Sequence, residues 1–323
     1  MDLQRGDRVA ILSYNRREFL EVIMAAAKLG GILVPLNWRL TAPELAFILN
    51  DSGAETLFYD TGLVELAEGV GQQTALRRFV AFGERDKPRA RAYETLLADE
   101  PASEPAIDPA PNLDTPHIIM YTAGTTGQPK GALLSQGASF WNALNLNLAM
   151  DFTSGDRNLL VLPMFHIGGI GLFTLPMIYD GATVVIQRTF EPAQTLALLR
   201  EENISLFFGV PAIFLALFQH PAFKAEVFKS VRIVMSGGAP LPVSLVEQYH
   251  QAGIALQQGF GMSEAAPSIA TLEKELALAK AGSIGKPVFH LDARIVDDEM
   301  HELPAGEVGE LVIRGPNLLQ GYW

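Results

Sequence analysis

Short apolar runs rich in β-branched residues alternate along this chain with stretches whose apolar residues recur every three or four positions. These are the spacings of strands and of amphipathic helices. Residues 9–12 read as a strand, Arg17–Leu29 as a helix with Asn15 near its cap and Gly30-Gly31 as its stop, and residues 32–35 as a further strand. Thr41-Ala42-Pro43-Glu44 has the form of a capping box with proline in the first turn, opening a helix to about residue 49. Residues 55–59 and 79–82 are strand candidates. Residues 99–116, rich in Pro, Ala, Asp and Glu without an apolar period, read as a surface connection.

Regular alternation then resumes, with strands over 118–122, 158–162, Thr183–Ile186, 205–208, 232–235 and 254–257 and helical stretches between them. Repeated βα units predict an α/β fold of layered parallel sheets flanked by helices. Residues 293–296 and Glu310–Arg314, around the polar loop 297–307, predict a small antiparallel, barrel-like part. The expected division is two α/β subdomains over about 1–116 and 117–280, followed by a β-rich part over about 281–323.

Composition narrows the chemistry. Of 323 residues, 49% are hydrophobic, ample for a large core. The net charge of −12 argues against a nucleic-acid surface, which needs clustered Lys and Arg. An anion would have to be bound locally, by backbone N–H groups, a few cations and a metal ion. The absence of cysteine excludes disulfides, thiolate catalysis and cysteine zinc sites, and fits a cytoplasmic location. Residues 1–10 lack the apolar core of a signal peptide. The most apolar stretch, 167–179, is broken by glycine and short of the ~20 residues a membrane span requires, so no integral membrane segment is expected. His117, His166, His220, His250, His290 and His301 show no metal-ligand spacing.

The strongest single feature is Tyr121-Thr122-Ala123-Gly124-Thr125-Thr126-Gly127-Gln128-Pro129-Lys130-Gly131, which follows a predicted strand. Glycines let backbone N–H groups approach a ligand, hydroxyls add donors, and Lys130 adds a mobile positive charge suited to phosphate. The spacing is not that of a Walker A loop. By composition alone, a Gly-Thr turn with a solvated lysine would look the same. The segment closely resembles, however, the signature phosphate loop of the adenylate-forming superfamily of acyl-CoA synthetases, luciferases and peptide-synthetase adenylation domains, which usually reads Y-T-S-G-T-T-G-x-P-K-G. Ala123 replaces the usual serine and removes one hydroxyl donor.

Further segments resemble this family's motifs in the family's order. By that resemblance, His166 of Leu162-Pro163-Met164-Phe165-His166 borders the acid's carboxylate; as an isolated residue it reads as a buried histidine in an apolar wall. Gly238, Ala239 and Pro240, after the strand at 232–235, would line adenine. In Gly259-Phe260-Gly261-Met262-Ser263-Glu264, Phe260 would stack on adenine, Ser263 would reach the α-phosphate and Glu264 would hold Mg2+; alone, Glu264 reads as a solvated carboxylate. Residues 122–130, with Thr122, Gly124, Thr125, Thr126, Gly127 and Lys130, would hold the β- and γ-phosphates.

The resemblance implies an AMP-forming acid:CoA ligase that takes ATP with Mg2+, a carboxylic acid and CoA. No Asp or Lys stands ready for an amino acid's ammonium. The apolar residues near the motifs favour a fatty or aryl acid, and the phrase Phe165-His166-Ile167-Gly168-Gly169 looks most like fatty-acyl ligases. A non-CoA acceptor and a non-catalytic nucleotide- or acyl-binding role stay open, as does a homodimer. The family's ribose-binding aspartate, hinge and lysine-bearing small domain are not in this sequence. By expectation this chain is an incomplete large domain that binds nucleotide and adenylates slowly.

Overall fold

The structure, a computed structural model, describes residues 3–83, 89–123 and 127–323. Two large sheets dominate it. The first has eight strands in the order Gly321–Tyr322, Lys130–Ser135, Pro116–Thr122, Ile32–Leu36, Arg8–Leu12, Thr56–Asp60, Arg78–Phe82 and Arg91–Ala92. Its strands are parallel from Pro116–Thr122 onward. Lys130–Ser135 runs antiparallel to both of its neighbours. The second sheet has seven strands in the order Lys286–Pro287, Ser268–Thr271, Leu256–Gly261, Ile233–Ser236, Leu206–Gly209, Arg157–Leu160 and Thr183–Ile186, of which the last five are parallel.

Side-chain alternation explains the layering. Along Arg8–Leu12, Val9 and Ile11 enter one buried cluster, while Ala10 and Leu12 enter another. The first cluster is shared with Leu159, Phe207 and Val234 of the second sheet, so both sheets face one core. The other cluster lies beneath the helix Ala42–Ser52 and the helix Val64–Gly71, through Leu45, Ile48, Leu49 and Val70. The helix Gln136–Met150 touches Lys130–Ser135 of the first sheet and Ser268–Thr271 of the second. Its buried residues, among them Ala138, Asn142, Asn145 and Leu146, go around the helix instead of forming one stripe, as between two layers.

Several elements differ from the sequence reading. Asn15 lies beside the helix cap, as expected, but it also ties distant segments together. The cap position is Arg16, and Asn15 is buried with its amide tied to residues 162, 164 and 187. Glu44 accepts from both the N–H and the hydroxyl of Thr41 at 2.7 Å, and the helix it opens runs to Ser52, past the expected end. Lys130 begins a strand instead of closing a loop, and the strand expected over 254–257 lies over Leu256–Gly261. The antiparallel part is a pair, Asp292–Val296 with Glu310–Arg314. The short strands flanking it join the two large sheets. No helix among the described residues is long and apolar enough to cross a membrane.

Candidate functional site

The carboxyl ends of the parallel strands of both sheets open on one cavity of about 750 Å³. Ligands of open α/β sheets bind in this kind of position, because the loops leaving the strands are free to diverge there. The first sheet contributes Thr122; the second contributes Leu162, Gly237, Gly238 and the stretch from Gly259 to Glu264.

On the first-sheet side, Thr122 ends one strand and Lys130 begins its antiparallel neighbour, directly paired with it. The turn between them is therefore fixed at both ends by the sheet. Ala123 and Gly127 are exposed, and Gly127 has φ +88°, a conformation that favours glycine. Gly124, Thr125 and Thr126 lie outside the described residues. The Lys130 ammonium makes no ion pair among the described residues and sits 5.7 Å from the centroid of the Tyr322 ring.

On the second-sheet side, Gly237 follows its strand where a Cβ would meet the Gly259 carbonyl at 2.8 Å, so glycine lets the two strand ends close together. Gly238 lines the cavity; Ala239 and Pro240 are exposed next to it and do not. Phe260 is 38% exposed on the cavity wall, which leaves an aromatic side chain open to a ligand there. After Met262 the chain turns sharply through Ser263 and Glu264. Ser263 is buried against the protein, yet its hydroxyl bonds to no described residue. The Glu264 carboxylate accepts one hydrogen bond, from the Tyr322 hydroxyl at 2.8 Å, and pairs with no Lys or Arg. That contact raises the Tyr322 phenol above its ordinary pKa, so it stays the donor.

Among the described residues no three acidic, His or Cys side chains cluster to hold a metal ion. A single carboxylate near the Thr122–Lys130 turn would fit Mg2+, which is usually held by one or two carboxylates together with substrate phosphates. It does not fit zinc, which demands a fuller protein ligand set.

His166 is not the buried histidine an isolated reading suggests. Its ring is exposed to the cavity, yet it lies among protein groups that displace bulk water and lower its pKa. The Gly168 N–H donates to His166 Nδ1 at 3.1 Å. A backbone N–H can only donate, so Nδ1 is unprotonated and the neutral ring carries its proton on Nε2. Asn15 fixes the segment leading to it, donating to the Leu162 carbonyl at 2.8 Å and accepting from the Met164 N–H at 2.8 Å. Asn15, Tyr322 and the cavity-lining Trp38, Arg39 and Arg188 carry no motif in the sequence, and only the fold brings them to the site. Trp38 and Phe165 meet edge-to-face at 6.2 Å, and the Arg39 guanidinium lies 5.0 and 5.8 Å from their ring centroids.

Comparisons with known proteins identify relatives of the whole described fold. A family model described as AMP-binding enzyme matches residues 1–323. Feruloyl-CoA synthase of an Amycolatopsis species is 37% identical over 318 residues, 98% of this chain. The chain spans only 62% of that relative's length. The inhibitor-bound N-terminal domain of FACL13 from Mycobacterium tuberculosis superposes with a TM-score of 0.90 at 33% identity, covering 100% of this chain and 79% of that one. O-succinylbenzoate coenzyme A synthetase of Bacillus subtilis, solved in complex with ATP and magnesium ion, superposes with a TM-score of 0.83 at 30% identity, covering 99% of this chain and 63% of that one.

Proposed function

The chain belongs to the AMP-binding enzyme family, and from that premise we propose that it is the nucleotide-binding part of an AMP-forming acid:CoA ligase. One observation carries the reading: Thr122, Gly238, Phe260, Ser263, Glu264 and His166 line the same cavity as an apolar recess lined by Leu146, Met150, Val161 and Ile213. In the first step an oxygen of the acid's carboxylate attacks the α-phosphorus of ATP, and the bond to the pyrophosphate oxygen breaks. In the second the thiol of CoA adds to the acyl carbonyl, and AMP leaves with the electron pair.

The first step brings two anions together, so fixed donors decide its rate. Lys130 supplies positive charge at the β- and γ-phosphate end. The unpartnered Ser263 hydroxyl is free to donate to the α-phosphate. Phe260 offers its exposed face to adenine. His166, neutral and protonated at Nε2, donates to the acid's carboxylate without adding charge. Bound at Glu264, Mg2+ would neutralise phosphate charge as it builds.

The recess favours an acid that is apolar along most of its length. Trp38, Phe165 and the stacked Arg39 give flat, polarisable contacts that suit an aryl acid better than the fatty acid expected from sequence. The fatty-acid reading keeps support from the aliphatic wall of Leu146, Met150, Val161 and Ile213. Incubating the full-length protein with ATP, Mg2+ and a panel of aryl and fatty acids, with and without CoA, tests both. Acid-dependent AMP release with thioester formation is expected, fastest with an aryl acid. AMP release without a thioester would replace CoA with another acceptor, and ATP binding with no acid-dependent turnover would leave only a binding role.

A further inference from the structure

The residues around Tyr322 belong to the nucleotide site through the way the fold joins its two halves. Gly321 and Tyr322 pair antiparallel with Leu133 and Ala132. The Gln320 N–H donates to the Leu133 carbonyl and the Trp323 N–H to the Gly131 carbonyl, each at 2.8 Å. In an antiparallel pair, a residue and the diagonal neighbour two positions from its partner share a face. That rule sets Tyr322 and Lys130 on one face, and the ring lies 5.7 Å from the ammonium. The same segment holds the other half of the site. The Leu319 N–H donates to the Glu264 carbonyl at 2.8 Å. The fully buried Asn317 donates to the carbonyls of Ala265 and Ser268 at 2.7 and 3.0 Å. The Tyr322 hydroxyl then reaches the Glu264 carboxylate itself.

We propose that Tyr322 is a positioning residue for the Mg2+–ATP site, orienting the Glu264 carboxylate through its hydroxyl and separating Glu264 from Lys130 with its ring. The inference rests on the ligase reading. Its logic is one of charge. The site needs an anionic carboxylate for the cation and a free ammonium for phosphate, and both touch the same phenol. A direct ion pair between them would neutralise each against the other and leave neither for ligand. A phenol holds the carboxylate by a neutral hydrogen bond at Oε1, so the carboxylate keeps its full charge, and among the described residues its Oε2 accepts no bond. The ring offers the ammonium a cation–π contact, which is weaker than an ion pair and readily exchanged for phosphate oxygens. Lysine or arginine at position 322 would hold Glu264 more tightly and cancel its charge.

The test is equilibrium binding of ATP to the full-length protein, with Mg2+ and separately in EDTA. Tyr322→Phe keeps the ring and loses the hydroxyl. It is expected to weaken Mg2+–ATP binding roughly tenfold, the scale of one hydrogen bond to a charged group, while ATP binding in EDTA is unchanged. Tyr322→Ala removes the spacer, lets Lys130 collapse onto Glu264, and is expected to weaken binding in both conditions. Adding Glu264→Gln to Tyr322→Ala is then expected to restore ATP binding in EDTA, because Lys130 loses its acidic partner. A purely structural role would weaken both conditions equally in Tyr322→Phe and give no rescue. Either that result or Tyr322→Phe binding Mg2+–ATP like wild type overturns the proposal while leaving the ligase reading intact. Failure of wild type to bind ATP at all would overturn both.

Discussion

The parallel strands of the second sheet meet charge at both of their ends, but the two ends handle it differently. At the amino end, Asp156 precedes one strand and Arg232 another. The Arg232 guanidinium donates to Asp156 at 2.9 and 2.6 Å and to the carbonyls of Met150 and Asp151 at 2.8 Å each. Asp156 also accepts from the Ser205 hydroxyl at 2.6 Å and the Thr153 N–H at 2.9 Å. Burial alone would raise the Asp156 carboxyl, but the bonds from Arg232, Ser205 and Thr153 outweigh it and hold the pKa at about 2. At the carboxyl end, Glu264 has one phenol, and the Ser263 hydroxyl and Lys130 ammonium have no hydrogen-bonding partner among the described residues. Saturated charge locks strands together, whereas unsaturated charge, on the proposed reading, is left for a ligand.

Breaking the saturated end has the largest expected effect. Arg232→Met strands a carboxylate that is only 5% exposed, and removing one partner of such a pair costs about 3–5 kcal/mol of stability. Urea unfolding measures the loss, and ATP affinity of the protein that remains folded is expected to stay at the wild-type value. The reverse pattern is expected at the other end. Glu264→Gln changes unfolding free energy by no more than ~0.5 kcal/mol, as surface substitutions usually do, while acid-dependent ATP–pyrophosphate exchange by the full-length enzyme falls roughly 10²–10³-fold. Comparable stability losses at both ends would erase the distinction.

A smaller effect, spread over pH, sharpens it. His117, near the amino end of its strand in the first sheet, is buried, and burial pushes its pKa down to about 4 from 6.5. The unfolded chain takes up a proton near pH 6.5 that the folded chain refuses until about pH 4. Stability from this group is complete above pH 6.5 and drains away as pH falls toward 4, by about 3 kcal/mol in all. His117→Gln is expected to flatten unfolding free energy across that window, measured by urea titration at stepped pH.

Much of this arrangement is legible in the sequence, and what is not has a common cause. The βα alternation and the motifs at 121–131 and 259–264 are local, because a strand's period and a turn's glycines lie within a dozen residues. Asn15 is different. Its partners Leu162 and Gln187 lie 147 and 172 residues away, and nothing near it in sequence separates this role from a helix cap. Tyr322 meets Glu264 across 58 residues and Lys130 through the pairing of the edge strand Gly321–Tyr322 with Lys130–Ser135, two strands that no hairpin turn joins to each other. The strand expected over 254–257 runs on to Gly261, past glycines that usually weaken a strand; a Cβ at Gly261 would run into the Pro267 carbonyl.

A crystal structure of the full-length protein with ATP and Mg2+ measures most directly whether residues 122–130 and 259–264 close on one ligand. The predicted result is a triphosphate lying between residues 122–130 and Ser263, with the metal on Glu264 and the adenine against Phe260. A nucleotide bound on another surface, or a metal held by residues away from Glu264, would contradict it.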